Sequence, residues 1–267
     1  SLAARVVEVT DTKSVSSGVT LDKARVRGAL RAGLMELAGT TSLAAAWKVL
    51  LPAFKDSMRI GLKVNTINSK AASSPELLLA LIETMTQDLG AKKANIIVWD
   101  RVDYELTAAK LDKATLGVTV LATDQGGYET TKLKVRSRTT TLSKILTQQT
   151  DITFDLGVLK DHDIGGITGA LKNVYGIVEN PGDFHNELVQ DLPELFGLDA
   201  VHKKVRLCIL EGFIAVKQGG PMGPPTNKPG KLLLSTDPVA IDAHALTLIN
   251  GLRKVPVDAT MVGWLAG

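Results

Sequence analysis

Residues Phe154–Glu187 read FDLGVLKDHDIGGITGALKNVYGIVENPGDFHNE. The segment opens inside an apolar run, Ile152 to Leu159, which stops at the polar cluster Lys160-Asp161-His162-Asp163. A glycine-rich turn, Gly165-Gly166-Ile167-Thr168-Gly169, follows, and then a short helical pattern carries Lys172 and Asn173. A second loop, Asn180-Pro181-Gly182-Asp183-Phe184-His185, brings another imidazole. A strand, a glycine turn and a helix start in succession make one unit of an α/β sheet. Open sheets of that kind place ligands outside the C-terminal ends of their strands. The site is expected here.

The rest of the chain repeats the alternation. Arg5–Val9 reads as a short strand, and Thr20 and Asp22 offer caps for a helix to Leu37 that ends at Gly39. Leu43–Leu51 is a second helix stopped by Pro52, and Arg59–Val64 is a strand with a polar loop, 65–69, at its end. Ser73-Ser74-Pro75-Glu76 opens an apolar helix to Leu89. Strands at Asn95–Trp99 and Val118–Ala122 follow, and later ones at Val205–Leu210 and Lys231–Ser235 precede a helix from Asp237-Pro238 to Asn250. The pattern predicts a two-lobed α/β fold, with mainly parallel sheets, helices on both faces and a cleft at the strand C-terminal ends. The expected lobes are 1–130 and 131–267, with the boundary within 130–150. That boundary segment carries Lys132, Lys134, Arg136 and Arg138 on alternate positions. It reads either as a charged edge strand or as a basic lip over an anionic substrate.

Composition narrows the function classes. At 45% apolar and 22% charged over 267 residues, the chain has the makeup of a globular protein with a large core. A net charge of +3 with 4% aromatics argues against nucleic acid as a partner. No apolar run approaches the ~20 residues of a transmembrane helix. The chain starts at Ser1 without methionine or signal peptide and reads as a processed or trimmed form. The single cysteine, Cys208, excludes an intramolecular disulfide and an iron–sulfur cluster bound by this chain alone.

Three segments, Gly61-Leu62-Lys63-Val64-Asn65, Gly169–Gly176 (GALKNVYG) and Ser235–Ala243 (STDPVAIDA), resemble in sequence and order the family called domain of unknown function 362 (DUF362). Lys160-Asp161-His162 and the glycine/proline loop ahead of the last strand fit the same order. Where the family pattern places a proline two residues before that lysine, this chain has Val158. The resemblance covers nearly the whole chain and implies a fold and a site more than a reaction. Family members are often described as iron–sulfur-centre proteins, some have ferredoxin-like cysteine clusters, and many carry twin-arginine export signals. By analogy the resemblance implies a periplasmic or extracellular location, though this chain shows no such signal.

Residue chemistry then supplies candidates. His162 and His185 are imidazoles able to hold a divalent transition metal, with Asp183 as an oxygen donor. The alternative is that both histidines tie loops together. Gly165, Gly166 and Gly169 form a turn whose backbone, with the following helix start, could cradle an anion. Helix–sheet packing alone could also require them. Lys172, on a largely apolar helix, needs a partner and could reach a phosphate or carboxylate, while Asn173 holds a loop carbonyl. Lys63 and Asn65 share one side of a buried strand. Lys63 serves either a ligand or a structural ion pair. Lys160 and Asp242 complete the expected ligand-binding set, Asp242 with the alternative role of anchoring the last helix. The expected function is a polar cleft for a metal ion or a small anionic ligand, in a metal-assisted enzyme with Lys63, Lys172 and Asn173 as catalytic groups. The alternative is a non-catalytic, exported metal-binding or redox-accessory protein with a redox or self-association partner.

Overall fold

Parallel pairing forms where the apolar runs are densest, because strands covered on both faces need no polar side. Residues 5–16 and 18–265 are described by the structure, a computed structural model. Among them the strands, in chain order, are β1 (Val6–Thr10), β2 (Ile60–Lys63), β3 (Ile96–Asp100), β4 (Thr119–Ala122) and β5 (Leu133–Val135). They continue with β6 (Arg138–Thr140), β7 (Ile152–His162), β8 (Gly166–Thr168), β9 (Val205–Val216) and β10 (Lys231–Ser235). One sheet runs β1-β10-β9-β7-β2-β3-β4, with β8 folded back on β7. The stretch from β9 to β4 is parallel, and β10 and β1 extend it antiparallel. The mixed α/β fold with a mainly parallel centre is therefore as expected.

The sheet is shared, however, rather than one for each half of the chain. β2 from the first half pairs directly with β7 from the second. All eleven residues of β7 are buried, and a buried strand must have backbone partners on both edges. β2 and β9 supply them.

Helices cover both faces. On one side the helices Lys23–Ala38, Leu43–Leu50 and Pro75–Thr84 pack with Phe154, Leu156 and Leu62. Trp47 stacks on Phe154 there, with ring centroids 5.8 Å apart. The caps are those the sequence implies. Asp22 accepts from Ala24 and Arg25, Gly39 ends the first helix in the left-handed region at φ 67°, and Ser74 caps the third ahead of Pro75. On the other side lie the helices Ala170–Asn173, Leu188–Gly197 and Pro238–Leu252. Lys63 pairs in register with Trp99 on one neighbour and Asp155 on the other, and Asp155 pairs with Cys208. Registered neighbours share a face, so this line of side chains lies beneath the second helix layer.

The basic segment is an edge, as one expected reading had it, with Lys132 and Lys134 exposed. β5 and β6 form a hairpin off the main sheet. Arg138 reaches Asp191 at 2.6 Å and Arg136 reaches it at 3.3 Å. Both arginines are therefore engaged by the helix behind them rather than turned to a ligand.

The glycine turn is filled from within. Asp242, fully buried on the last helix, accepts from the N–H groups of Ala170 at 2.6 Å and Leu171 at 2.9 Å. The helix start expected to cradle an external anion thus holds the protein's own carboxylate. Gly169 is required because a Cβ there would overlap that carboxylate. Gly166, at φ 72°, lies against Val257 and Val262. Burial pushes the Asp242 carboxyl up to about 8, against the pull of the two amides. Replacing it still leaves two buried donors without an acceptor. Asp242→Ala is expected to lose about 2–4 kcal/mol in urea unfolding, and Gly169→Ala to be destabilised as well. Wild-type stability in both would remove this explanation of the turn.

Candidate functional site

A cleft of about 390 Å³ opens where β2, β3 and β7 end. Its walls include Lys63, Asn65, His162, Lys172, Asn173 and His185, so six of the residues singled out in the sequence meet in one place. Asp100, Arg101, Glu105, Asp163 and Tyr175 line it too.

The floor is a directional chain of side-chain hydrogen bonds. Lys160 donates to Asn65 Oδ1 at 2.7 Å, and Asn65 Nδ2 donates to Asn173 Oδ1 at 3.1 Å. Asn173 Nδ2 in turn donates to Asp155 Oδ1 at 2.6 Å. Lys63 also donates to Asn173 Oδ1, at 3.2 Å, and pairs with Asp100 at 2.8 Å. Asp100 is held by the Thr66 amide and hydroxyl, at 2.9 and 2.7 Å, and by the Arg101 amide at 2.7 Å. Lys63 is therefore an ion-paired, buried cation that also faces the cleft.

Burial governs the titration of this floor. It pushes the Asp155 carboxyl up to about 7, against the Asn173 amide and Lys63. It brings Lys160 down to about 7, opposed by Asp100, Glu105 and Glu211. Glu211, accepting from the Ser74 amide at 2.9 Å, rises to about 7 for the same reason.

The cleft wall on the other side is built from β7 and the loop after the helix Ala170–Asn173. His162 Nδ1 accepts from the amides of Ile164 and Gly165, at 3.1 and 3.0 Å. The proton of the neutral ring therefore sits on Nε2. His185 has the opposite tautomer: its Nδ1 faces the Pro181 carbonyl at 2.9 Å, which can only accept, leaving a lone pair on Nε2. The two rings stack with centroids 5.8 Å apart, and Tyr175 meets His185 edge-on. Burial, then Lys172 and His185, lowers His162 to about 3, and burial and Lys172 lower His185 as well. Both rings are neutral at pH 7.

Lys172 stands apart from Lys63. Its ammonium lies 4.2 Å from the centre of the Tyr175 ring, and no carboxylate pairs with it among the described residues. Burial lowers it to about 7. Arg101 makes no salt bridge among the described residues and its Nε is buried without a hydrogen bond, but its guanidinium interacts with Tyr128 and with the Glu105 carboxyl.

Six other residues singled out in the sequence lie outside the cleft walls. Lys160 is buried beneath Asn65. Gly165 donates to His162, while Gly166 and Gly169 serve packing. Asp242 caps the helix at 170. Asp183 is exposed and tied to Asn180. Among the described residues no group of three or more His, Cys, Asp or Glu side chains is placed to hold a metal ion. Of the wall residues that sequence reasoning left out of the site, Asp100 ends β3, and Arg101 and Glu105 follow it. Their signal is position: β3 is parallel to β2, so its C-terminal end lies beside Lys63.

These features define an α/β protein with a polar cleft at the C-terminal ends of parallel strands. Residues 60–247 match the family described as Domain of unknown function (DUF362), and the chain belongs to that family. A comparison with curated proteins finds no significant match. The cysteine clusters of some family members have no counterpart in these residues. Cys208 is the single cysteine and is buried, its thiol pushed well above the usual range by burial.

Two measurements separate the cations. Lys63→Met leaves Asp100 buried without its cation and is expected to cost about 3 kcal/mol, whereas Lys172→Met breaks no ion pair and stays within about 1 kcal/mol of wild type. Equal losses in urea unfolding would contradict the difference in pairing. Lys160 has its own signature. The unfolded lysine holds its proton up to pH ~10, the folded one only to about 7. Between these values the unfolded state binds more protons, so stability rises with pH and is lost as pH falls through about 7. Lys172, also brought down to about 7, adds a rise of the same sign, so Lys160→Met is expected to reduce the rise rather than remove it; an unchanged profile between pH 7 and 10 would show that Lys160 does not contribute.

Proposed function

We propose that the cleft binds a small anionic organic ligand. The observation that carries this reading is the pairing pattern of its cations. Lys63 is matched by Asp100, while Lys172 faces the same cleft with no carboxylate paired to it among the described residues, and Arg101, beside Glu105 and Tyr128, makes no salt bridge among them. A desolvated cation without a counter-charge is costly, and an anion from solution is the partner that relieves the cost. The His162 Nε2–H is a third donor on the same wall. The guanidinium of Arg101 suits the planar fork of a carboxylate or the oxygens of a phosphate.

The histidine tautomers support an anion over a metal ion. Ligation by His162 Nε2 would need a lone pair where the ring carries its proton, since Nδ1 already accepts two amides. His185 offers a lone pair on Nε2, so the pair combines a hydrogen-bond donor with a proton acceptor. That combination suits proton transfer on a bound ligand. Lys63 and Asn173 line the floor of the same cleft.

The test is a thermal melt of wild type and Lys172→Met with inorganic phosphate, acetate, succinate, zinc and nickel. At least one anion is expected to raise the wild-type midpoint, by an amount that grows with concentration as for one-site binding, and to lose that effect in the variant. Protection by zinc or nickel alone, or anion protection undiminished in Lys172→Met, would overturn the reading.

A further inference from the structure

The rim of the cleft is apolar where its floor is charged. Ile67, on the loop after β2, is 45% exposed, and Ile164, in the β7–β8 turn, is 52% exposed. Both line the cleft together with Pro221 from the β9–β10 loop. Met222, the next residue, is 65% exposed. Isolated exposed hydrophobics are ordinary on a protein surface. Two isoleucines and a proline from three separate loops around one cleft are a more specific arrangement.

The rim is also held in place. Asn68 Nδ2 donates to the Pro221 and Gly223 carbonyls, both at 2.9 Å, which ties the first loop to the third. The Asp163 amide donates to the Gly220 carbonyl at 3.1 Å, and the Gly220 amide donates to Asp161 Oδ1 at 2.8 Å. Asp161 is anchored further by Arg253 at 2.8 Å. The polar groups of these loops bond to one another, and their apolar side chains are left facing the opening.

We infer that the ligand is an amphiphilic carboxylate. Its charged end meets Lys172, Arg101 and the His162 Nε2–H, and an apolar body of several carbons lies against Ile67, Ile164 and Pro221. The inference rests on the anion-binding reading and adds the ligand's other half. A purely polar anion such as inorganic phosphate fills the floor but leaves the isoleucines in water. A chain with an apolar body removes them from it, which favours binding in proportion to the area covered. A cleft of about 390 Å³ is of the size used for small organic ligands rather than for a bare ion.

Calorimetric titration of the full chain with acetate, butyrate, hexanoate and octanoate, each below its micellar range, tests the inference. Wild type is expected to bind about fourfold tighter per fully buried methylene over the first several carbons, as burial of each predicts. In Ile67→Asn and Ile164→Asn the ratio of hexanoate to acetate affinity is expected to fall at least threefold. Both positions are exposed in the free protein, and a melting curve of each variant confirms that it is folded. Affinity that is flat with chain length, with acetate and phosphate still bound through Lys172, would overturn this inference and leave the anion reading standing. Loss of all anion binding in wild type would overturn both. A chain-length dependence unchanged in both isoleucine variants would place the apolar contact elsewhere and reject the rim.

Discussion

The carboxamide of Asn173 holds this site together. Its oxygen accepts from Lys63 and Asn65 while its nitrogen donates to Asp155. An amide has one acceptor end and one donor end, so this arrangement admits only one orientation. The short helix Ala170–Asn173 is thereby locked over three side chains of the sheet. Asp242 locks its other end by accepting the first two amides. A helix of one turn has little stability of its own, and here both ends are fixed by tertiary contacts. The direction of Lys172, one residue before Asn173, follows from that fixation.

The same network explains how so many ionisable groups are tolerated near the centre of the sheet. Lys63, Asp100, Asp155 and Lys160 are all buried. Lys63 and Asp100 meet as an ion pair, while Lys160 and Asp155 are joined only through two carboxamides, Asn65 and Asn173. Burial moves the carboxyl up and the ammonium down until both stand near 7. The amides link them without making either a full counter-ion, which keeps the floor polar while the core around it is apolar.

The histidines have a different logic. Each ring is held through Nδ1 by the main chain, His162 as acceptor and His185 as donor. Backbone contacts thus set opposite tautomers in two stacked rings and present unlike Nε2 atoms. The turn that supplies the amides to His162 is 164–165, so Gly165 acts on the cleft through the imidazole.

Much of this was legible in the chain alone. Period and punctuation gave the strands at Lys231–Ser235 and near Lys63, the caps at Asp22 and Ser74, and the α/β class, because helix caps and buried strands have local chemical signatures. The density of imidazoles and amines between Lys160 and His185 pointed to the cleft that His162, Lys172 and His185 line. Three things needed the folded chain. Whether the two halves share a sheet depends on β2 meeting β7 across some ninety residues, which no local pattern encodes. Whether the glycine turn is empty depends on Asp242, some seventy residues further on, arriving at the helix start. And a lysine in an apolar context reads the same whether a carboxylate waits beside it or not. Tertiary structure alone gives Asp100 to Lys63 and leaves Lys172 without one among the described residues, because pairing is decided by distance in space and not along the chain.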